Sequence, residues 1–335
     1  MSADGPTDSL PVDPVFSGWR YRAVVISVVL SALGYLLFAL ISGWREVAAA
    51  IVHVGAFALL AALSLSLVNY GLRFSRWQLY LHTLGHRIPW PKSLHIYLAG
   101  FALTTTPGKA GEAFRGVLLK RLRVPYPDSF AAFLSERLSD LIAIVLLTLF
   151  GLTLYPKAAP LILVGAAVAI ALLVLLSQPQ WIAHLQRRMP TPRRLQRWIG
   201  HGFEILYQAS RCHRAKTLAL ATLLSLIGWA AEAFAFFLIL NWMGLDVSVF
   251  FAVFVFSISM LAGALSFTPG GLGSTEGVMV GFLLWQGVSL PEATAATLLI
   301  RASTLWFAVS IGILSVFVIP YVRLRGDKRC EYRAK

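Results

Sequence analysis

The chain has 335 residues, of which 58% are hydrophobic and only 13% charged, and it carries a formal net charge of +14. Soluble domains carry about 25% charged residues, and a fold of this size cannot hide so much apolar surface from water, so an all-α polytopic membrane protein is expected. The basic excess invites a nucleic-acid partner, but the Lys and Arg gather at the ends of apolar runs and no zinc-finger or RNA-binding signature is present. Anionic lipid headgroups of the inner leaflet are therefore the expected partner, and nucleic acid is not.

In chain order, residues 1–22 form a short segment with an acidic leader. The apolar run 23–43 exceeds the roughly 7–15 residues of a signal-peptide core and reads as a retained first helix. With 49–71, 130–151, 158–176, 217–240 and 296–319 it makes about six full transmembrane helices. Two further apolar regions, 94–122 and 248–288, are interrupted by TTTPGKAGE (Thr104–Glu112) and FTPGGLGSTE (Phe267–Glu276). Proline lacks an amide donor and glycine disfavours helix continuation. Both regions therefore read as re-entrant broken-helix hairpins. Their turns contain Thr106, Pro107, Gly108 and Gly111, and Thr268, Pro269, Gly270, Gly271 and Gly273. The threonines before the prolines are expected to cap freed carbonyls, with substrate contact as the alternative.

Charge orients the chain. With the N-terminus inside, 25 of the 29 Lys and Arg fall inside, counting 72–93 as a cytoplasmic segment; only Arg45 and Lys157 fall outside, and Arg137 and Arg301 lie within crossings. Both termini are then cytoplasmic, the tail 320–335 is basic, and a bacterial inner membrane is the expected location. In the cytoplasmic segment 177–216, Leu195, Trp198, Ile199, Phe203 and Leu206 recur at helical spacing among arginines. This suggests a basic amphipathic helix on the inner leaflet, or else a solvated linker. Cys212 and Cys330 both fall inside, where a disulfide is not expected. His82 and His86 lack further ligands at metal spacing and read as a polar loop, so no metal and no cofactor are expected.

The two interrupted regions belong to a duplication. Pro127-Asp128-Ser129-Phe130-Ala131-Ala132-Phe133-Leu134, ending at Arg137, parallels Pro291-Glu292-Ala293-Thr294-Ala295-Ala296-Thr297-Leu298, ending at Arg301. Glu112 precedes Arg137 by 25 residues, as Glu276 precedes Arg301. Within a membrane domain spanning 23–319, repeat one covers about 49–151 and repeat two about 217–319. The topology gives them opposite orientation, the scaffold of many secondary transporters.

At membrane depth the chain carries Glu112, Arg115, Glu136, Arg137, Asp140, Glu232, Glu276 and Arg301, each costing about 2.5–3.5 kcal/mol at a helix centre. Such charges should line a cavity or pair. A candidate headgroup path comprises Lys109, Glu112, Arg115, Glu136, Arg137, Asp140, Glu276 and Arg301, the arginines offering bidentate donors to phosphate. The alternative is structural: Glu112–Arg137 and Glu276–Arg301 as salt bridges pinning each hairpin to the next helix.

The TPGKAGE turn, the SERLSDL run (Ser135–Leu141) and the TPGGLGSTE turn resemble the lysylphosphatidylglycerol synthase transmembrane-region family, over roughly residues 25–320. The resemblance implies translocation of a phosphate-bearing lipid or lipid-linked headgroup, with the turn and Arg positions lining its path. Full-length resistance factors of that kind add a soluble aminoacyl transferase domain, which is not expected here, and no catalytic motif is found. The competing functions are a membrane-embedded transferase on a lipid carrier and a non-transporting subunit of an envelope-synthesis complex, with oligomers open.

Overall fold

The computed structural model describes residues 44–105, 114–149, 159–177, 193–266 and 268–318. The crossing expected at 23–43, the tail 320–335 and the first turn with Thr106, Pro107, Gly108, Lys109, Gly111 and Glu112 lie outside them. No strand occurs among the described residues. The helices are α1 (Trp44–Thr83), α2 (Trp90–Phe101), α3 (Arg115–Lys120), α4 (Tyr126–Leu149), α5 (Ala159–Ser177), α6 (Arg193–Cys212), α7 (Ala215–Trp242), α8 (Val249–Leu265), α9 (Ser274–Trp285), α10 (Leu290–Arg301) and α11 (Phe307–Val318). A π-turn, Ala302–Trp306, joins the last two.

The stretches α1, α7 and 290–316 are long and apolar enough to cross a membrane. The 24 residues of α4 span about 36 Å but carry Glu136, Arg137 and Asp140. Val52, Phe57 and Leu67 of α1, Leu163 and Ile170 of α5, Leu223 and Phe234 of α7 and Leu314 of α11 are exposed. In water that would be an aggregating surface; in a bilayer it is the lipid-facing one. The chain is an integral, polytopic membrane protein.

One boundary differs from expectation. Residues 72–83 continue helix α1 rather than opening a cytoplasmic loop. The 40-residue element is bent at Gly55 (φ 76°, ψ 165°), a backbone region essentially restricted to glycine. Beyond it, residues 56–83 run on with Arg73, Arg76, Trp77 and Tyr80 buried. Those arginines face protein, not water.

The duplication is visible in the packing. Helix α1 ends in a turn with Gly85 at φ 94° and His86 N–H donating to Leu81 O at 2.9 Å; α7 ends with Gly244 at φ 78° and Leu245 N–H donating to Leu240 O at 3.1 Å. Helices α3 and α9 close likewise, with Arg123 (φ 63°) and Gly287 (φ 89°) at the left-handed position. Arg137 follows Arg123 by 14 residues, as Arg301 follows Gly287. Equivalent elements then pack reciprocally. Helix α4 lies on α7 as α10 lies on α1, and α8 packs on α4 as α2 packs on α11.

The central pair α1 and α7 runs antiparallel, because Phe57 meets Trp242 (ring centroids 5.6 Å apart), Asn69 meets Glu232, and Arg76 meets Ser225. Equivalent helices running in opposite directions make the repeat an inverted one. In the second hairpin α8 and α9 are also antiparallel, with Phe254 against Phe282 (5.3 Å) at one end and Gly263 beside Gly271 and Thr275 at the other.

The amphipathic helix expected in 177–216 forms as α6, and its Ala209 and Cys212 are fully buried in the protein core. His86 of the α1–α2 loop meets Asp128 at 2.5 Å, a carboxylate partner that sequence spacing does not reveal.

Candidate functional site

Four buried arginines, the half-buried Arg137 and four buried carboxylates meet where the two halves join. Asp140 of α4 is the hub. Its Oδ1 accepts from Arg76 Nη1 at 2.5 Å and from Trp229 Nε1 at 3.0 Å. Its Oδ2 lies 3.4 Å from Arg137 Nη2 and 4.0 Å from Arg73 Nη2. One turn earlier, Glu136 accepts from Arg115 Nη2 at 2.6 Å and lies 3.9 Å from Arg76 Nη2. The Arg115 guanidinium also lies over the rings of Trp77 (4.4 Å) and Tyr97 (4.9 Å). On α7, Ser225 accepts from Arg76, and Glu232 accepts from the Asn69 amide.

The second repeat places Glu276 and Arg301 together, as the equal spacing predicts: Arg301 Nε lies 2.6 Å from Glu276 Oε1. The Glu276 carboxylate also accepts from Gly273 N–H at 2.7 Å, capping α9, while Arg301 Nη2 donates to Gly270 O at 2.8 Å. The turn is thus tied to α10 by one side chain. Its freed carbonyls are capped by serines: Ser266 donates to Gly263 O at 3.0 Å and Ser274 to Gly271 O at 3.1 Å. Thr268 instead joins their hydroxyls, 2.9 Å from Ser266 Oγ. Helix α10 continues after Arg301 through the π-turn, an irregularity that gathers at functional sites.

Beside this network lies a cavity of about 320 Å³. Its aliphatic part is Leu134, Leu138, Leu141 and Ile144 of α4 with Val168 and Leu172 of α5. Its polar part is Arg73, Arg137, Asp140, Glu232 and Arg301, with Thr104, Thr268 and Thr304. Gly270 and Gly271 complete the wall at the second turn, which Gly273 and Pro269 adjoin.

Of the expected site residues, Arg137, Asp140 and Arg301 line the cavity, while Arg115, Glu136 and Glu276 support it as ion-pair partners. Lys109 and Glu112, the latter the postulated partner of Arg137, lie outside the described residues. Arg73, Arg76, Asn69, Tyr70 and Trp229 were not expected there. Their signal was available, since Asn69, Arg73, Arg76 and Tyr80 share one helical face, but the two arginines read as the start of a cytoplasmic segment. No group of three or more metal-ligating side chains occurs among the described residues.

Fold and site together define a helical membrane protein of two inverted halves closed around a buried ionic network and an amphipathic cavity. The chain belongs to the lysylphosphatidylglycerol synthase transmembrane-region family, whose pattern matches residues 24–312. It is similar to a UPF0104 membrane protein of Methanothermobacter thermautotrophicus, 24% identical over 88% of this chain and 94% of the relative. A UPF0104 membrane protein of Pyrococcus horikoshii is 24% identical over 71% of this chain and 79% of its own length. One from Methanocaldococcus jannaschii is 24% identical over 69% of this chain and the whole of the relative.

Proposed function

We propose that the chain is a lipid translocase of the cytoplasmic membrane, moving a phosphate-bearing lipid or lipid-linked headgroup between leaflets without chemical conversion. The observation that carries this reading is the cavity, in which a run of leucines adjoins Arg73, Arg137 and Arg301 at membrane depth. An ionised headgroup in bare hydrocarbon loses its hydration at prohibitive cost. Guanidinium groups replace that hydration with charge-assisted hydrogen bonds, while the leucines accept the first methylenes of the chains.

The inverted halves support a cycle in which equivalent hairpins open the cavity to either leaflet in turn. Helices α8 and α9 have 17 and 12 residues, about 25 and 18 Å, both shorter than a hydrocarbon core of about 30 Å. They fit a hairpin that enters from the outer face and returns. The distribution of Lys and Arg supports cytoplasmic termini, and the lipids themselves are the partners this reading needs. The test is reconstitution into vesicles carrying headgroup-labelled phospholipid in one leaflet. Protein-dependent exchange is expected, slowed at least about tenfold by Arg137→Ala; exchange no faster than in protein-free vesicles removes the reading.

A further inference from the structure

We propose that the aliphatic wall of the cavity is a binding site for one acyl chain of a membrane lipid, and that the chain enters where α5 parts from α8. The inference rests on the translocase reading and adds to it the chain-bearing class of the substrate and its route.

The cavity has a definite place in the duplication. Counting back from the equivalent caps at Gly85 and Gly244, Tyr70 matches Trp229 and Arg73 matches Glu232. Counting on from Arg137 and Arg301, Leu141 matches Leu305. Both members of each pair line the cavity, which therefore lies across the axis relating the two halves. Among the described residues, its wall has one contribution from outside the repeats, Val168 and Leu172 of α5. A helix added beside a frame of paired elements can shift while the frame holds.

The contacts of α5 suit such a shift. Neither α5 nor α8 contains a charged residue, so no ion pair joins them. Gly165 and Ala169 of α5 are buried, while Leu163, Ile170 and Val174 are exposed on its other side. The seam with α8 is a notch, in which a Cβ on Gly165 would lie 2.8 and 2.9 Å from the two methyls of Leu261. Lipid tails are as apolar as that side chain, so exchanging the contact for lipid costs little desolvation. Helices α1, α4, α7 and α10 instead carry the ionic and hydrogen-bond network, and parting them breaks it.

Size requires an opening. A volume of about 320 Å³ stands at the lower end of small-ligand pockets, and a diacyl lipid exceeds it. From Leu134 to Ile144 the lining face of α4 runs about 15 Å, the depth of one leaflet's hydrocarbon. Val168 and Leu172 of α5 and Met260 and Leu265 of α8 complete an aliphatic trough. A lipid whose headgroup reaches the arginines lays one chain in the trough while the other remains in the bilayer, so it must pass between helices. A free phosphate ester would gain nothing from that wall.

The experiment locks the seam. In a chain with Cys330→Ser, Gly165→Cys and Leu261→Cys stand within disulfide reach, since Leu261 Cγ lies 3.3 Å from a Cβ on Gly165. Trimming Leu261 also relieves the crowding that a Cβ at 165 would bring. Oxidation with diamide should slow leaflet exchange of headgroup-labelled phospholipid at least about tenfold, and dithiothreitol should restore it. Leu261→Cys alone should not respond to the oxidant. Undiminished exchange by the fully cross-linked protein overturns the gate and leaves the translocase reading standing. No exchange by the wild-type chain ends both. If the double variant fails to fold, the wild-type chain decides with a phospholipid carrying a photoactivatable diazirine within one acyl chain. Labelling of α4 between Leu134 and Ile144 supports the chain site, and labelling confined to exposed residues such as Leu163 and Ile170 overturns it.

Discussion

Arg137 and Arg301 hold corresponding places in the two repeats but have different surroundings. Arg301 is 4% exposed and clamps Glu276 and the Gly270 carbonyl, whereas the Arg137 side chain is 22% exposed, borders the cavity and reaches Asp140 at 3.4 Å. Truncating Arg301 would strand a buried carboxylate beside an unpaired carbonyl, so Arg301→Ala should destabilise the protein by about 3–5 kcal/mol. Removing both charges together, as Glu276→Gln with Arg301→Gln, should cost clearly less than that single change, because no lone ion remains. Arg137→Ala should cost about 1 kcal/mol, near the median for partly solvated pairs, while slowing exchange. Denaturant unfolding in detergent, followed by tryptophan fluorescence, measures all three. Equal losses for Arg137→Ala and Arg301→Ala would show that the two arginines share one structural role.

At the scale of elements, the described parts of the apolar runs at 130–151, 158–176, 217–240 and 296–319 are helical, and the break in 248–288 falls at Ser266–Gly273. These were legible because length, hydropathy and Pro-Gly turns are local signals. The Glu276–Arg301 pair was legible for another reason: the duplication repeats its spacing. What stayed hidden was long-range. Asp140, which meets both Arg73 and Arg76, stands on α4 more than 60 residues away, and an arginine at the end of an apolar run otherwise belongs in water. The contact between α2 and α11 was equally hidden. A Cβ on Gly312 would lie 2.1 Å from Ala102 N and 2.6 Å from Phe101 C, and backbone atoms cannot swing aside as a side chain can. Gly312→Ala should therefore push α11 from α2 and cost about 1–3 kcal/mol. Gly281→Ala, in α9 with nothing within 4 Å, should instead stabilise by up to about 1 kcal/mol through helix propensity. Thermal unfolding of the two variants side by side checks the contrast, and a harmless Gly312→Ala would mean that the two helices do not approach so closely.

For the whole molecule, the antiparallel crossing of α1 and α7 ties orientation to mechanism. Each helix ends in the same left-handed cap, and the loops beyond, with Arg87 after α1 and Asp246 after α7, must open on opposite faces if both helices cross fully. The proposed orientation, drawn from the distribution of positive charge, puts the first inside. Single cysteines can test this with a membrane-impermeant maleimide on intact cells, using Arg87→Cys or Asp246→Cys in a chain whose Cys330 is replaced by Ser. Both parent residues are exposed. Cys212 can remain, because it is fully buried at the end of α6 and burial pushes its thiol up to about 12, so almost no thiolate is present at labelling pH. The cysteine at 246 should label from outside, and the one at 87 only after permeabilisation. Labelling of both from one side would make the halves parallel, and a pair of parallel halves cannot offer mirror-related openings to the two leaflets, so exchange would have to proceed along an open groove instead of by alternating access.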